Sequence, residues 1–225
     1  MPTTTAGRGP SRSSRRPPSP PTLILMVRHG TTATTGKVLP GTAKGLHLAE
    51  KGQTEAQALA DRLAGLPNVE AIYASSLERA RETAAPIARG LSLRVSVDRG
   101  LVDCDVGDWT GQAIKTVAKR PEWRAVQRWP SGFRFPNGES FSEMQARILA
   151  TLDRIRQRHR GKTVVVVSHA DPIKAAVAHA LGTPLDLFQR IFIAPCSVSA
   201  VVYGEGGPTV LTVNAVGSFA DLRPS

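Results

Sequence analysis

The chain of 225 residues lacks the features that define several classes of protein. It contains two cysteines, Cys104 and Cys196, which are too few for a scaffold built on disulfides. No stretch approaches the roughly 20 apolar residues of a membrane-spanning helix, and the first residues lack the apolar segment of a secretory signal. His, Cys, Asp and Glu show no spacing typical of a metal site. We therefore expect a cytoplasmic protein with no membrane association and no bound metal.

Acidic residues are scarce relative to basic ones, since 18 Asp and Glu stand against 29 Lys and Arg and leave a formal net charge of +11. This balance favours anionic partners, which include phosphorylated metabolites, nucleic acids and acidic proteins. Residues 1–22 contain several arginines and no acid, and they are rich in Ser, Thr and Pro. We predict a disordered tail there, followed by one folded domain over residues 23–225. The tail overlaps in composition with organelle transit peptides, although its prolines argue against the amphipathic helix of such peptides.

Short apolar strand patterns alternate with helical patterns along most of the chain. This alternation predicts an α/β fold, a three-layer α/β/α sandwich around a mostly parallel, mixed sheet. The last two strands should form an antiparallel hairpin around residues 204–208. The predicted strands are residues 23–27, 71–74, 91–97, 163–167, 191–193, 197–203 and 209–213, and the predicted helices are residues 48–66, 80–89 and 139–159.

Two of the buried-strand patterns end in a histidine, within Arg28-His29-Gly30 and Ser168-His169-Ala170. A third strand is followed by Arg79 near the start of a helix. Because the carboxyl ends of parallel strands meet at one edge of a sheet, we expect two histidines and two arginines to lie together there. Arginine binds phosphate through paired hydrogen bonds, so the cluster predicts a phosphate site. An isolated R-H-G tripeptide would favour an ordinary surface strand end, because three residues are a weak signal.

Five sequence elements, in order, resemble the motifs of the histidine phosphatase superfamily, which is also called the phosphoglycerate mutase-like family. The resemblance spans residues 23–203 and implies the phosphoglycerate mutase-like fold. The matching elements are R-H-G-T-T at residues 28–32, S-S-L-E-R-A-R-E-T-A at 75–84, L-V-D-C-D-V-G-D-W-T-G at 101–111, P-N-G-E-S at 136–140 and S-H-A at 168–170.

The resemblance implies a catalytic role for each matched position. His29 would be the nucleophile that forms a phosphohistidine, and Arg28, Arg79 and His169 would hold the phosphoryl oxygens. Asp103 would be the general acid for the leaving oxygen and then the general base for water. No cofactor is implied. A lid over residues 110–138 would contribute cations and aromatic walls, and the full set of implied substrate-binding residues is Thr32, Thr35, Gly41, Arg124, Arg128 and Ala170.

The chain departs from the family pattern at three positions. Asp103 stands where most members have Glu, Ala170 replaces the usual Gly, and Thr35 stands where many relatives carry Asn as a phosphate contact. In mutases of the family the acid is followed by R-H-Y-G, whereas here Cys104 and Asp105 follow Asp103. Because Asp105 replaces a positive, substrate-facing position, a doubly phosphorylated cofactor is disfavoured.

The sequence therefore predicts a metal-independent phosphatase that acts on small phosphorylated metabolites rather than nucleic acid. A phosphoglycerate mutase and a non-catalytic relative that binds phosphorylated ligands are the alternatives. The apolar stretch at residues 191–203 would lie either in the core or at the edge of a homo-oligomer. The physiological substrate stays open.

Overall fold

The sheet is built around its first strand, β1 (Thr22–Arg28), in a computed structural model that describes residues 20–217. Of the predicted tail, residues 1–22, residues 1–19 lie outside the described residues, and Thr22 is not part of a tail but the buried first residue of β1. None of the helices described is long and apolar enough to cross a membrane. The other elements are α1 (Glu50–Leu63), β2 (Val69–Ala74), α2 (Glu78–Gly90), β3 (Val95–Val97), α3 (Ile114–Val117), α4 (Trp123–Arg128), α5 (Phe141–Arg158), β4 (Thr163–Ser168), α6 (Ala170–Ala180), β5 (Val198–Gly204) and β6 (Gly207–Ala215).

The six strands lie in the order β3-β2-β4-β1-β5-β6. The first four are parallel to one another, whereas β5 runs antiparallel to β1 and forms the predicted hairpin with β6. Helices cover both faces, so the predicted three-layer sandwich with a mostly parallel, mixed sheet is confirmed.

Residues of β1 alternate between two hydrophobic clusters, because successive side chains of a strand point to opposite faces. Leu23, Leu25 and Val27 pack with residues of α1 and α2. Ile24 and Met26 pack with residues of α5 and α6 on the other face. Burial on both faces explains the unbroken apolar run that predicts this strand.

One predicted strand is wrong, because residues 191–193 form no strand. The Ile191 amide donates to the Phe188 carbonyl at 3.1 Å rather than to a neighbouring strand. The Ile193 carbonyl accepts a hydrogen bond from Arg28 Nη1 at 2.6 Å, and the amide of the following Ala194 donates to Asn214 Oδ1 at 2.6 Å. Of the predicted apolar stretch at residues 191–203, residues 198–202 are buried within β5, whereas Phe192 is 69% exposed.

The predicted lid, residues 110–138, contains the short helices α3 and α4. Two of its aromatic residues, Phe133 and Phe135, pack around Trp109, which is 1% exposed, in a third hydrophobic cluster, whereas Trp129 is 62% exposed. This cluster anchors the segment beside α5 and α6 through Met144, Ala175 and other buried residues.

The turn after β1 packs closely on α1 at Gly52, a residue that has no Cβ atom. A Cβ atom on Gly52 would lie 2.1 Å from the Thr31 carbonyl oxygen. We expect Gly52→Ala to lower the free energy of unfolding by about 1–3 kcal/mol, because either the turn or α1 must move. Urea denaturation measures the change, with Gly65→Ala as the control, since a Cβ at Gly65 meets nothing within 4 Å. An equal, small effect of both substitutions would contradict the prediction.

Candidate active site

Strand register brings the two motif histidines to one level at the carboxyl edge of the sheet. Arg28 of β1 pairs with Ser168 of β4, so His29 and His169 follow side by side. Their ring centroids lie 5.1 Å apart. Ala74 of β2 pairs with Val167, which places Ser75 level with Ser168, one residue before His169. The structure therefore brings together the strand ends that the sequence predicts to meet.

His29 is held in one tautomer by its own turn. Nδ1 lies 2.8 Å from the Gly30 carbonyl oxygen, which accepts hydrogen bonds only, so Nδ1 carries the proton and Nε2 carries the lone pair. Burial, reinforced by the charge of Arg79, lowers the pKa of His29 to about 3. The imidazole is therefore neutral and nucleophilic at Nε2 over the physiological pH range.

Arg28 and Arg79 are fixed by backbone carbonyls, and burial lowers the pKa of both guanidinium groups. Arg79, on the first turn of α2, is 0% exposed and donates from Nη2 to the Gly41 carbonyl at 2.8 Å. Its Nη2 also lies 3.4 Å from Asp103 Oδ2. Arg28 donates from Nη1 to the Ile193 carbonyl. Both guanidinium groups are therefore held in a fixed orientation, because an Nη atom of each donates to a backbone carbonyl.

Three buried side-chain nitrogens without a hydrogen-bond partner stand out, and within residues 20–217 they are the complete set of such atoms. They are Arg28 Nε, Arg79 Nε and His169 Nδ1. An unpaired buried donor costs about 1–3 kcal/mol, so three of them in one site point to an acceptor-rich ligand. A phosphoryl group offers acceptor oxygens and the negative charge that complements the two arginines.

His169 is oriented by Ser75. Ser75 Oγ accepts a hydrogen bond from the Leu77 amide at 3.3 Å and lies 2.8 Å from His169 Nε2. We assign the imidazole proton to Nδ1, because the Asp103 Oδ2 atom lies 3.7 Å from it, and the Ser75 hydroxyl then donates to Nε2. Burial lowers the pKa of His169 well below its usual range, so a neutral ring faces the site as a donor.

Asp103 lies inside the site despite its short side chain. Its Oδ1 accepts from the Cys104 amide at 3.0 Å, and its Oδ2 lies 3.4 Å from Arg79 Nη2 and 3.7 Å from His169 Nδ1. Burial raises the pKa of this carboxyl group to about 6, against the opposing charge of Arg79. The group can therefore change protonation state near neutral pH, which general acid-base chemistry requires.

A cleft of about 190 Å³ is lined by Arg28, His29 and Asp103, whereas Arg79 and His169 are fully buried and are not among the residues at its wall. Predicted substrate-binding residues at its wall are Thr32, Thr35, Gly41 and Ala170, although Thr32 and Thr35 are hydrogen-bonded to each other. The wall also contains residues that the sequence does not predict to bind substrate, which are Thr34, Gly36, Val38, Leu39, Pro40, Cys104, Val106, Ile114 and Asp171.

Two predicted binding residues lie elsewhere. Arg124 and Arg128 are exposed on α4, and neither lines the cleft, so their binding role stays a prediction that the geometry does not support. Asp105 is also absent from the wall, since its Oδ1 accepts from the Gly107 amide at 3.1 Å. The sequence predicts a negative charge at the cleft from Asp105, but the acidic residue at the wall there is Asp171, whose side chain is 30% exposed.

Within residues 20–217, no three His, Cys, Asp or Glu side chains are grouped as a metal ion would need. The groups that could bind an anion are the two guanidinium groups and the neutral His169. Together with a nucleophilic nitrogen and a titratable carboxyl, this set is suited to phosphoryl transfer.

Comparison with known proteins agrees with this chemistry. The model of the histidine phosphatase superfamily, branch 1, matches residues 24–216, and the chain belongs to that family. Relatives that match the chain include proteins named as a phosphatase and as a probable mutase.

The chain is 32% identical over 171 residues to phosphoserine phosphatase 1 of Hydrogenobacter thermophilus, a match that covers 74% of this chain and 80% of the relative. A solved structure, a mycobacterial glucosyl-3-phosphoglycerate phosphatase, superposes with a TM-score of 0.78 at 25% identity, covering 87% of this chain and 99% of the other.

A third relative is longer than this chain. A Mycobacterium tuberculosis protein named as bifunctional is 36% identical over 207 residues, which are 88% of this chain and 55% of the relative. The chain therefore spans about half the length of that relative.

Proposed function

We propose that the protein is a phosphatase that hydrolyses small phosphomonoesters through a phosphohistidine on His29, without a metal ion. One observation carries the proposal most directly. The three unpartnered buried nitrogens belong to three side chains that meet around His29, the one ring whose nucleophilic nitrogen is left free. A phosphoryl group supplies a partner for each of them.

In the first half-reaction His29 Nε2 attacks phosphorus, and an N–P bond forms as the P–O ester bond breaks. The leaving oxygen takes the bond's electron pair and the proton of Asp103. Arg28 and Arg79 balance the charge on the phosphoryl oxygens, and His169 donates from Nδ1.

In the second half-reaction a water molecule attacks the phosphohistidine. Asp103, now a carboxylate, accepts the water's proton, and the N–P bond electrons return to His29 Nε2. Inorganic phosphate leaves and the starting protonation states are restored. A pKa of about 6 suits both roles of Asp103, because neither form is costly near neutral pH.

Hydrolysis is favoured over mutase chemistry by the charge of the cleft. Asp103 and Asp171 both line it, and Asp171 pairs with Lys174 at 3.1 Å. A substrate or cofactor with two phosphates would bring its second anionic group near these carboxylates, whereas a monoester would not. The names of the similar phosphatases support small phosphorylated metabolites as substrates, without identifying which one.

The direct test is hydrolysis of p-nitrophenyl phosphate in excess EDTA, between about pH 5 and pH 8, by the full chain. We expect steady turnover that EDTA does not change, because the arginines supply the positive charge that a metal would otherwise provide. Loss of activity in EDTA with recovery on adding a divalent cation would overturn metal independence. No turnover together with tight binding of inorganic phosphate would favour the non-catalytic alternative. A panel of phosphorylated metabolites ranked by kcat/KM then addresses the substrate.

A further inference from the structure

Asp103 lies in a segment with little regular secondary structure, and one arginine outside the cleft holds its backbone. We call residues 100–105 the acid loop. Arg147, on α5, donates from Nη1 to the carbonyl oxygens of Gly100 and Val102, both at 3.0 Å. Its Nη2 donates to the carbonyl oxygen of Asp103 itself at 3.1 Å.

Glu139 completes the arrangement on the other side of Asp103. Arg147 binds it with both sides of its fork, Nε to Oε1 at 2.9 Å and Nη2 to Oε2 at 2.8 Å. The same Oε2 accepts from the Asp105 amide at 3.1 Å, and the Glu139 amide donates to the Asp105 carbonyl at 2.9 Å. The ion pair therefore forms hydrogen bonds with the backbone of the acid loop on both sides of Asp103, at Gly100 and Val102 before it and at Asp105 after it.

This pair is shielded but does not reach the substrate. The side chains of Arg147 and Glu139 are 24% and 15% exposed, and neither residue lines the cleft. Partial burial makes their charge-assisted hydrogen bonds stronger than those of a surface pair.

Precise backbone placement matters more here than with a longer acid. Asp103 has one rotatable bond fewer than a glutamate, so the position of its carboxyl group follows the backbone closely. A general acid must be within hydrogen-bond reach of the leaving oxygen, and a displacement of about 1 Å can cost on the order of 100-fold in rate.

From these contacts we infer that Arg147, held by Glu139, is a positioning residue that sets the place of the general acid Asp103. The inference rests on the proposed phosphatase function. It assigns Arg147 a specific effect, because placement of the acid matters only where the leaving group needs a proton.

The test compares two substrates of similar shape, p-nitrophenyl phosphate and phenyl phosphate. The first releases a weakly basic phenolate that leaves without a proton, whereas the second needs the acid. Arg147→Lys keeps the charge but loses the planar fork that serves three carbonyls and a carboxylate. We expect kcat/KM for phenyl phosphate to fall about 10- to 100-fold, with a change of less than about 3-fold for p-nitrophenyl phosphate.

The control is Arg156→Ala, on the same helix. Arg156 also forms an ion pair, with Asp153, and lies over the Tyr203 ring, and neither partner belongs to the acid loop. The ratio of the two kcat/KM values should stay that of the unmodified chain. If Arg147→Lys does not fold, Glu139→Gln removes the charge of the pair with little change of shape and should shift the ratio in the same direction.

A second arm uses Asp103→Asn, in which there is no acid to place. Adding Arg147→Lys to that variant should leave the substrate ratio unchanged, because residues that act as a unit are not additive. A parallel loss for both substrates in Arg147→Lys would overturn the inference, since it would indicate stability alone. Failure of the unmodified chain to hydrolyse either substrate would instead overturn the proposed function.

Discussion

Replacing His29 with alanine is expected to lower kcat for p-nitrophenyl phosphate by about 10³-fold or more, because the substitution removes the atom that attacks phosphorus. Arg28, Arg79 and His169 would still surround the phosphoryl group, so binding should weaken far less than turnover. The measurement combines steady-state kinetics with the mass of the intact chain after a quench that avoids acid. A phosphoryl adduct should be seen on the unmodified chain and not on His29→Ala.

His179→Ala is the matched control, since His179 is an exposed histidine near the end of α6 and away from the cleft. It should retain normal kinetics and the adduct. An adduct that persists in His29→Ala would locate the nucleophile elsewhere. Turnover that persists with no adduct in either chain would favour direct attack by water.

The position of His29 could be predicted because its strand has an unambiguous pattern. The runs at residues 23–27 and 163–167 are apolar without interruption, which indicates burial on both faces and a central place in the sheet. Parallel pairing of β1 with β4 then places two strand ends together, and the structure pairs Arg28 with Ser168. This pairing can be predicted because both β1 and β4 have unbroken apolar runs in the sequence.

The segment at residues 191–193 has the same kind of apolar pattern but a different outcome. The Ile193 carbonyl and the amide of the adjacent Ala194 are bound by side-chain atoms of Arg28 and Asn214. Such contacts join residues far apart in the chain and leave no periodic signal. The role of Arg147 has no sequence signal for the same reason. Three of its hydrogen bonds are made to backbone carbonyls, which every residue has.

The lid, residues 110–138, is the part of the chain whose contacts the motifs predict least well. Interleaved arginines and aromatic residues at 123–134 suggest a wall for the substrate, yet Phe133 is buried and Arg124 and Arg128 face solvent. Which face of α4 points inward depends on how the Trp109 cluster packs, and no local pattern specifies that packing. Of the whole segment 110–138, Ile114 is the residue at the cleft wall.

The departures from the family pattern take on a physical meaning in the structure. Asp103 reaches the site, since its Oδ2 lies within 4 Å of both Arg79 and His169. Thr35 is engaged with Thr32 through their hydroxyl groups at 3.0 Å, which reduces its freedom as a phosphate contact. Ala170 brings its Cβ to the cleft wall.

Asp103→Asn is expected to remove the acid and, with it, the pH dependence that the acid imposes. In the unmodified chain the productive form has His29 neutral and Asp103 protonated. The pKa of His29, about 3, sets the lower limit, and the pKa of Asp103, about 6, sets the upper limit. The kcat/KM for phenyl phosphate should therefore be highest between these limits and fall about tenfold for each pH unit above the upper one, as the acid loses its proton.

The phosphate group of the substrate also titrates near pH 6, which would distort a single profile. The ratio of kcat/KM for phenyl phosphate to that for p-nitrophenyl phosphate reduces this contribution, because both substrates are aryl phosphates, of which the nitro compound is the more acidic. In the unmodified chain the ratio should fall as pH rises through about 6. In Asp103→Asn it should be low and independent of pH, with kcat/KM for phenyl phosphate reduced about 10²- to 10⁴-fold at pH 5.

Asp103→Glu supplies the matched control, because it restores the residue that most of the family carries and keeps a titratable carboxyl group. It should retain a falling ratio, with a midpoint set by its own burial. The competing acid is Asp171, which also lines the cleft. If the ratio in Asp103→Asn still fell with pH and became flat only when Asp171→Asn was added, the proton would come from α6 and the role given to the acid loop would be wrong.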